Sequence, residues 1–271
     1  MKKFLALALV AILALSMVAC TQQAPATDEA NVVDDLALIQ ENGKLVIGMT
    51  LFAPMDYYND NNELTGFEVD FGKAVCEKLG VEAEFVEINW DAKETELNAK
   101  NIDCIWNGMT ITEERQANMS ISVPYLSNKQ VMVAKADKAA SYVTDVTGAK
   151  VVAELGSAGE ELAADNEFFK AAEFTGVDSM AKALMEVEAG TADIAIVDYV
   201  TSIGSIGDGT DFKDLVVVEA EDFNLEEYGI AFRKGSNLTE KVNAIVEELA
   251  KDGTLAKIAA EYKLEDLLLV K

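Results

Sequence analysis

Histidine is absent from all 271 residues. That one absence removes Ser-His-Asp and Cys-His nucleophile systems, imidazole general bases and His-based zinc sites. A G-x-S-x-G elbow and a Walker phosphate loop are missing too, so carboxylate chemistry is the enzymatic route left open, and no metal or cofactor site is expected. Basic residues are scarce: 22 Lys and Arg stand against 48 Asp and Glu, a formal net charge of −26. Such a surface repels nucleic acid and anionic lipid, and it says nothing about a closed site governed by its own few residues. Cysteine is limited to three residues. Of these, Cys76 and Cys104 fall in apolar stretches and read as buried thiols, with a disulfide between them as the alternative open to an exported protein. Beyond residue 19 no segment is long and apolar enough to cross a bilayer.

What is present begins with Lys2 and Lys3 ahead of an apolar segment, residues 4–19, too short and too abruptly ended for a membrane span. It reads as a secretory signal. Residues 20–33 are polar, rich in alanine and interrupted by Pro25, and suit a flexible tether.

The most informative stretch follows the apolar run Ile102-Asp103-Cys104-Ile105-Trp106, which suits a buried strand. Asn107-Gly108-Met109-Thr110-Ile111-Thr112-Glu113-Glu114-Arg115 comes next, and Thr110 or Thr112 suits the N-cap of a helix. Arg115 then lies near a first turn, where a cation has the wrong sign for the helix dipole. Free N–H groups, a threonine hydroxyl and a guanidinium converging at a strand end make a carboxylate receptor. The plainer reading is a surface arginine paired with Glu113 or Glu114.

From Asp34 onward, short apolar runs alternate with helical stretches, the signature of an α/β domain with largely parallel sheets. Strands are expected at 45–48, 81–88, 102–106, 131–134, 150–154 and 193–198, with a further candidate inside 223–232. Helices are expected from Gly66 to Leu79 with Gly80 as C-cap, over 92–99 behind an Asp91 cap, from Glu160, over 179–188, and at 238–251 and 254–262. The helix-to-strand unit ending at Asn107 recurs in the unit ending at Asp198, which implies two lobes of similar build. Each unit ends in a polar residue at a strand's carboxyl end, where open α/β sheets place ligands.

Residues 48–54, Leu64-Thr65-Gly66-Phe67-Glu68-Val69-Asp70, 108–115, Pro124-Tyr125, 193–198 and Tyr228-Gly229-Ile230-Ala231-Phe232 together resemble the polar amino-acid-binding proteins of ABC importers, the extracellular solute-binding proteins of family 3. The match runs in order over 34–262. It implies a two-lobed, type II periplasmic-binding-protein-like fold, with hinges near 125–129 and 225–228. The first lobe would be 34–124 plus 229–271, and the second 130–224. The ending Met17-Val18-Ala19-Cys20 resembles a lipoprotein box, with Met17 where leucine is usual. That implies cleavage after residue 19, lipid on Cys20, and a monomer on the outer face of the cytoplasmic membrane serving a permease.

Carried over by residue, the resemblance assigns the α-carboxylate to Arg115, with Thr110, Ser157 and Ala158 as further donors. It gives the α-ammonium to the Gly108 carbonyl and Asp198, for which a helix-cap role is the bland alternative. Phe52 and Trp90 would sandwich the side chain, or else serve as core. A zwitterion does need a donor-rich pocket a few ångströms from an anionic one. Many relatives carry an Asp after the first strand, where this chain has Met49 or Thr50. Glu154 and Asn107 are then the polar groups left for specificity. Glutamine or another uncharged polar amino acid is the first expectation, with arginine, lysine or cystine next. No catalytic residue is assigned. A prephenate-type dehydratase on the same fold, with Glu154 as its acid or base, and a sensor module are the alternatives.

Overall fold

The computed structural model describes residues 33–220, 223 and 225–270. The expected signal peptide, Cys20 and all of the tether but Val33 lie outside them, as does Asn224 at the expected end of the second lobe.

Two sheets organise the chain. The first opens with β1 (Lys44–Met49), whose register puts Leu45, Ile47 and Met49 in the core. A short hairpin, β2 (Tyr57–Tyr58) with β3 (Leu64–Thr65), leads to the helix Phe67–Leu79. Phe67, Phe71, Val75 and Leu79 recur on its buried face, and it stops at Gly80 in the left-handed conformation, φ 74°, as its sequence foretells. β4 (Glu82–Glu87) and β5 (Cys104–Ile105) flank β1 in parallel. β6 (Met119–Ile121) completes the sheet through β13 (Ala231–Arg233), which runs antiparallel to both β5 and β6. The order is β4-β1-β5-β13-β6.

Inside this lobe Phe67, Phe71, Trp106 and Tyr125 form one aromatic cluster, with Phe71 edge-on to Trp106 at 4.8 Å. Burying each such ring contributes about 1.5–3 kcal/mol. Arg233 fastens the lobe from within. Its Nε donates to both Asp35 oxygens at 3.0 Å, Nη2 to Asp103 at 3.1 Å, and Nη1 to the carbonyls of Leu97 and Ile102.

β7 (Leu126–Lys135) carries the chain into the second sheet. Its first half pairs antiparallel with β12 (Leu225–Tyr228), and its second half joins β10 (Ile194–Asp198) and β11 (Leu215–Val217). β8 (Lys150–Glu154) and β9 (Glu173–Val177) extend that sheet in parallel beyond β10. The helices Ala158–Asp165 and Met180–Ala189 pack on it. The chain then returns through β12 and β13, and the helices Leu238–Lys251 and Thr254–Glu261 close against Phe67–Leu79.

Several local expectations differ from this. The sheets are mixed rather than largely parallel, because β7 and β13, which carry the chain out and back, run against their neighbours. The strand expected at 131–134 starts five residues earlier, because the preceding residues pair with β12. The 223–232 candidate is two strands, interrupted at Gly229 and Ile230. Asp91 is not a cap. Asn89 accepts from the Asp91 N–H and opens a 3-10 turn, Trp90–Ala92, before the helix Lys93–Asn98. Cys76 and Cys104 are free and buried, and burial lifts the Cys76 thiol to about 12.

Candidate functional site

At the end of β5 the chain turns through Asn107, which is fully occupied within its own lobe. Its Oδ1 accepts from Thr50 N and Oγ1 at 2.9 and 2.8 Å, and its Nδ2 donates to the Thr50 carbonyl and to Asp56. Those bonds use the amide's whole capacity, so Asn107 shapes the wall with no polar atom left for specificity. Gly108 follows at φ 52°, and a Cβ there would lie 2.8 Å from the Phe52 ring. Its N–H donates to both oxygens of Glu68 at 2.9 and 3.1 Å.

Thr112, rather than Thr110, caps the next helix, its Oγ1 accepting from Arg115 N at 3.2 Å. Arg115 is therefore a first-turn residue, and it is 5% exposed. Its partners are not Glu113 or Glu114. Nη1 donates to the Thr110 carbonyl at 2.8 Å, while Nη2 reaches across to the second lobe, to Glu161 at 2.9 Å and the Gly156 carbonyl at 3.4 Å. The Thr110 hydroxyl donates to Glu226 on β12 at 3.0 Å.

The second lobe presents two strand ends and one helix start. Ser157 caps Ala158–Asp165, its Oγ accepting from Glu160 N, which aims the N–H groups of that first turn out of the helix. Glu154 ends β8, is 2% exposed, and has an Oε1 with no hydrogen-bond partner among the described residues. Burial first and the Asp198 charge second push its carboxyl up to about 8. Asp198 ends β10 and makes no capping bond to the helix that follows it. Instead its Oδ1 accepts from Asn128 Nδ2 at 2.9 Å and from Gln130 Nε2. The same two amides donate to Glu226. Burial and the Glu226 charge raise Asp198 to about 7.

These strand ends meet at a narrow cleft between the lobes whose free space is about 10 Å³, room for one water molecule. Trp90, Asn107, Gly108, Thr110 and Arg115 line it from the first lobe, and Glu154, Ser157, Ala158 and Asp198 from the second. Phe52 does not line it. That ring is 4% exposed and packs behind Gly108. Met180 is an apolar wall that the sequence did not suggest. Cation and hydroxyl donors thus share one enclosed space with two carboxyl groups, a combination suited to holding a small zwitterion.

Other groups at the site were not read from the sequence. Lys93, the first residue of the helix Lys93–Asn98, is 6% exposed, donates to the Gly156 carbonyl at 2.8 Å and lies 4.9 Å over the Trp90 ring. Burial and nearby Arg115 lower its ammonium to about 8. Asn128 and Gln130 did carry a signal: two amides spaced by two on a strand entering the core belong on one face, where they need buried partners. Gly156 and Gly204 mark where the lobes touch. A Cβ would fall 2.9 Å from Asp91 Cα at the first and 2.5 Å from Pro54 N at the second.

Residues 45–265 match the family model of bacterial extracellular solute-binding proteins, family 3. The chain is 30% identical to the L-cystine-binding protein TcyJ of Escherichia coli (strain K12) over 259 residues, 94% of each chain. It is similar in structure to the P235GK mutant of ArgBP from T. maritima, with a TM-score of 0.76 at 28% identity, covering 84% of this chain and 98% of that one. It is likewise similar to the ancestral amino acid-binding protein AncCDT-1, a precursor of cyclohexadienyl dehydratase, with a TM-score of 0.73 at 32% identity over 85% and 99% of the two chains.

Proposed function

The chain belongs to the bacterial extracellular solute-binding proteins, family 3, and from that membership we propose that it captures a free amino acid outside the cytoplasm and presents it to the permease of an ABC importer. The observation that carries this reading is the interlobe cavity with Arg115 in one wall and Asp198 in the other. The α-carboxylate lies on the Arg115 guanidinium and the N–H groups at Ser157 and Ala158, and the α-ammonium lies between Asp198 and the Gly108 carbonyl. The side chain points along Trp90 and Met180 toward Glu154.

Glutamine or a similar uncharged polar amino acid is our first choice of ligand, because Glu154 is raised to about 8 and so presents a neutral, hydrogen-bonding carboxyl at pH 7. Cystine and arginine, named for TcyJ and ArgBP, are the competitors. The hinges are 125–129 and 225–228, where β7 and β12 pair, dividing lobe 34–124 plus 229–271 from lobe 130–224. The contacts of Lys93 and Arg115 with Gly156 belong to the closed state that the permease distinguishes from the open one. Residues 1–19 are a signal peptide, Cys20 carries lipid, 20–33 is the tether, and the mature protein is a monomer at the outer face of the cytoplasmic membrane.

A dehydratase reading draws on AncCDT-1 and on Glu154, whose raised carboxyl suits a general acid. Asp198 argues against it, since a substrate without an amino group leaves that carboxyl without a counter-charge. A thermal-shift screen over the twenty amino acids, cystine and prephenate separates the two. At a thousandfold excess over Kd the ligand stabilises the fold by about 4 kcal/mol. Stabilisation by no amino acid, with turnover of prephenate, would replace our reading by the enzymatic one.

A further inference from the structure

Behind the Gly108 wall of the cavity, two carboxyl groups meet inside the first lobe. Asp56 is 0% and Glu68 1% exposed. Donors converge on Glu68: the Gly108 N–H at 2.9 and 3.1 Å from its two oxygens, and the Tyr125 hydroxyl. Asp56 receives one side-chain donor, Asn107 Nδ2, at 3.0 Å from Oδ2. Its Oδ1 is buried with no donor among the described residues, and its carboxyl is in contact with that of Glu68. Two bare carboxylates cannot share a dry site, so one proton belongs to the pair. The donor geometry gives its place. Glu68 accepts with both oxygens and is the ionised member, which leaves the proton on Asp56 Oδ1.

The surroundings agree. Burial and then the Glu68 charge hold Asp56 well above the usual carboxylate range, while the bonds from Asp56, Tyr125 and Gly108 oppose the upward pull of burial on Glu68. The titratable group bonded to the pair is Tyr125, whose ring centroid is 6.3 Å from that of Tyr228, and the Asp198 charge acts on both tyrosines. The pair therefore sits in an unbroken chain of hydrogen bonds from Thr50 through Asn107, Asp56 and Glu68 to Gly108 and Tyr125. Gly108 is a cavity wall, and Tyr125 immediately precedes the crossing strand β7.

We propose that Asp56 and Glu68 are positioning residues of the binding site: Glu68, kept ionised by the single proton on Asp56, holds the Gly108 backbone in its left-handed turn and fastens the entry of the first crossing strand. This rests on the reading that the cavity binds an amino acid. The carbonyl of Gly108 is then set by a charged acceptor behind it, and Asp56 needs only to be a neutral donor.

Kd values for L-glutamine, L-arginine and L-cystine at pH 7, together with urea unfolding of the unliganded protein from pH 5 to 8, test this on wild type, Asp56→Asn, Asp56→Ala and Glu68→Gln. Asp56→Asn supplies a neutral donor and keeps Kd within threefold, whereas Asp56→Ala and Glu68→Gln raise it tenfold or more. Wild type keeps a proton that its unfolded chain releases above the ordinary carboxylate pKa. The stability of Asp56→Asn relative to wild type therefore grows with pH, by up to tenfold in the folding equilibrium per pH unit. The proposal is overturned if Asn impairs binding as much as Ala, if Glu68→Gln binds like wild type, or if the stability difference is independent of pH. Failure of wild type to bind any amino acid would sink the proposed function instead, and the unfolding series would still judge the pair.

Discussion

At the scale of single residues, the proposed site rests on Arg115 and Asp198. Arg115→Ala is expected to weaken amino acid binding at least a hundredfold, about 2.7 kcal/mol. The fold should hardly change, because the ion pair it loses joins the guanidinium to a Glu161 carboxylate that is half exposed. Calorimetric titration showing a Kd within fivefold of wild type would remove Arg115 from the carboxylate's place. Asp198 makes a pH prediction. Its carboxyl is raised to about 7 without a ligand, and an ammonium selects its ionised form, so the proton must leave on binding. Affinity should fall as pH drops below 7 and level off above it, and Asp198→Asn should flatten that limb between pH 5 and 7. Asp198 could be proposed from the sequence because strand ends in α/β sheets point polar groups at a ligand, and Arg115 because a cation in a helix's first turn calls for an anion. Lys93, Glu68 and Glu226 could not. Each takes its partners from distant parts of the chain, and only the tertiary packing reveals them.

At the scale of elements, the strand and helix periods gave eight of the eleven described strands of the two large sheets and missed the edge strands β6, β9 and β11, and the errors have local causes. Residues 131–134 were apolar enough to read as a strand, whereas Leu126-Ser127-Asn128-Lys129-Gln130 is polar, since it pairs with β12 between the lobes rather than within one core. Gly204, inside the helix Tyr199–Ser205, shows how an element can serve closure. Its Cα faces Pro54 so closely that no side chain fits. Gly204→Val is expected to hold the lobes apart, raising Kd at least tenfold and enlarging the liganded protein's radius of gyration, while circular dichroism stays unchanged. A scattering profile identical to wild type with ligand would refute that role. Arg233, by contrast, serves the fold alone. Arg233→Met strands Asp35 and Asp103 in the core and should cost about 3–5 kcal/mol in urea unfolding.

At the scale of the whole molecule, the recurrence of one helix-to-strand unit was enough to give two lobes from sequence, while their mixed sheets needed the coordinates. The acidic surface and the cavity are independent of one another. Raising salt from 0.05 to 0.5 M should shift the affinity for an uncharged zwitterion by less than threefold, since the charged groups it meets are buried and weakly screened. A tenfold loss by fluorescence titration would mean that the outer field, not the enclosed groups, governs capture.

Leu126 and Tyr228 stand opposite each other on one rung of the β7 and β12 pair. The polypeptide thus departs and re-enters at adjoining points, and everything from 126 to 228 is a loop of sequence with a narrow neck. Excising it and stitching 125 to 229 with about two glycines, the length of a tight hairpin connection, should leave a miniature that retains the Arg115 wall. The removed piece would begin and end side by side, ready to be spliced, permuted or exchanged as a cassette.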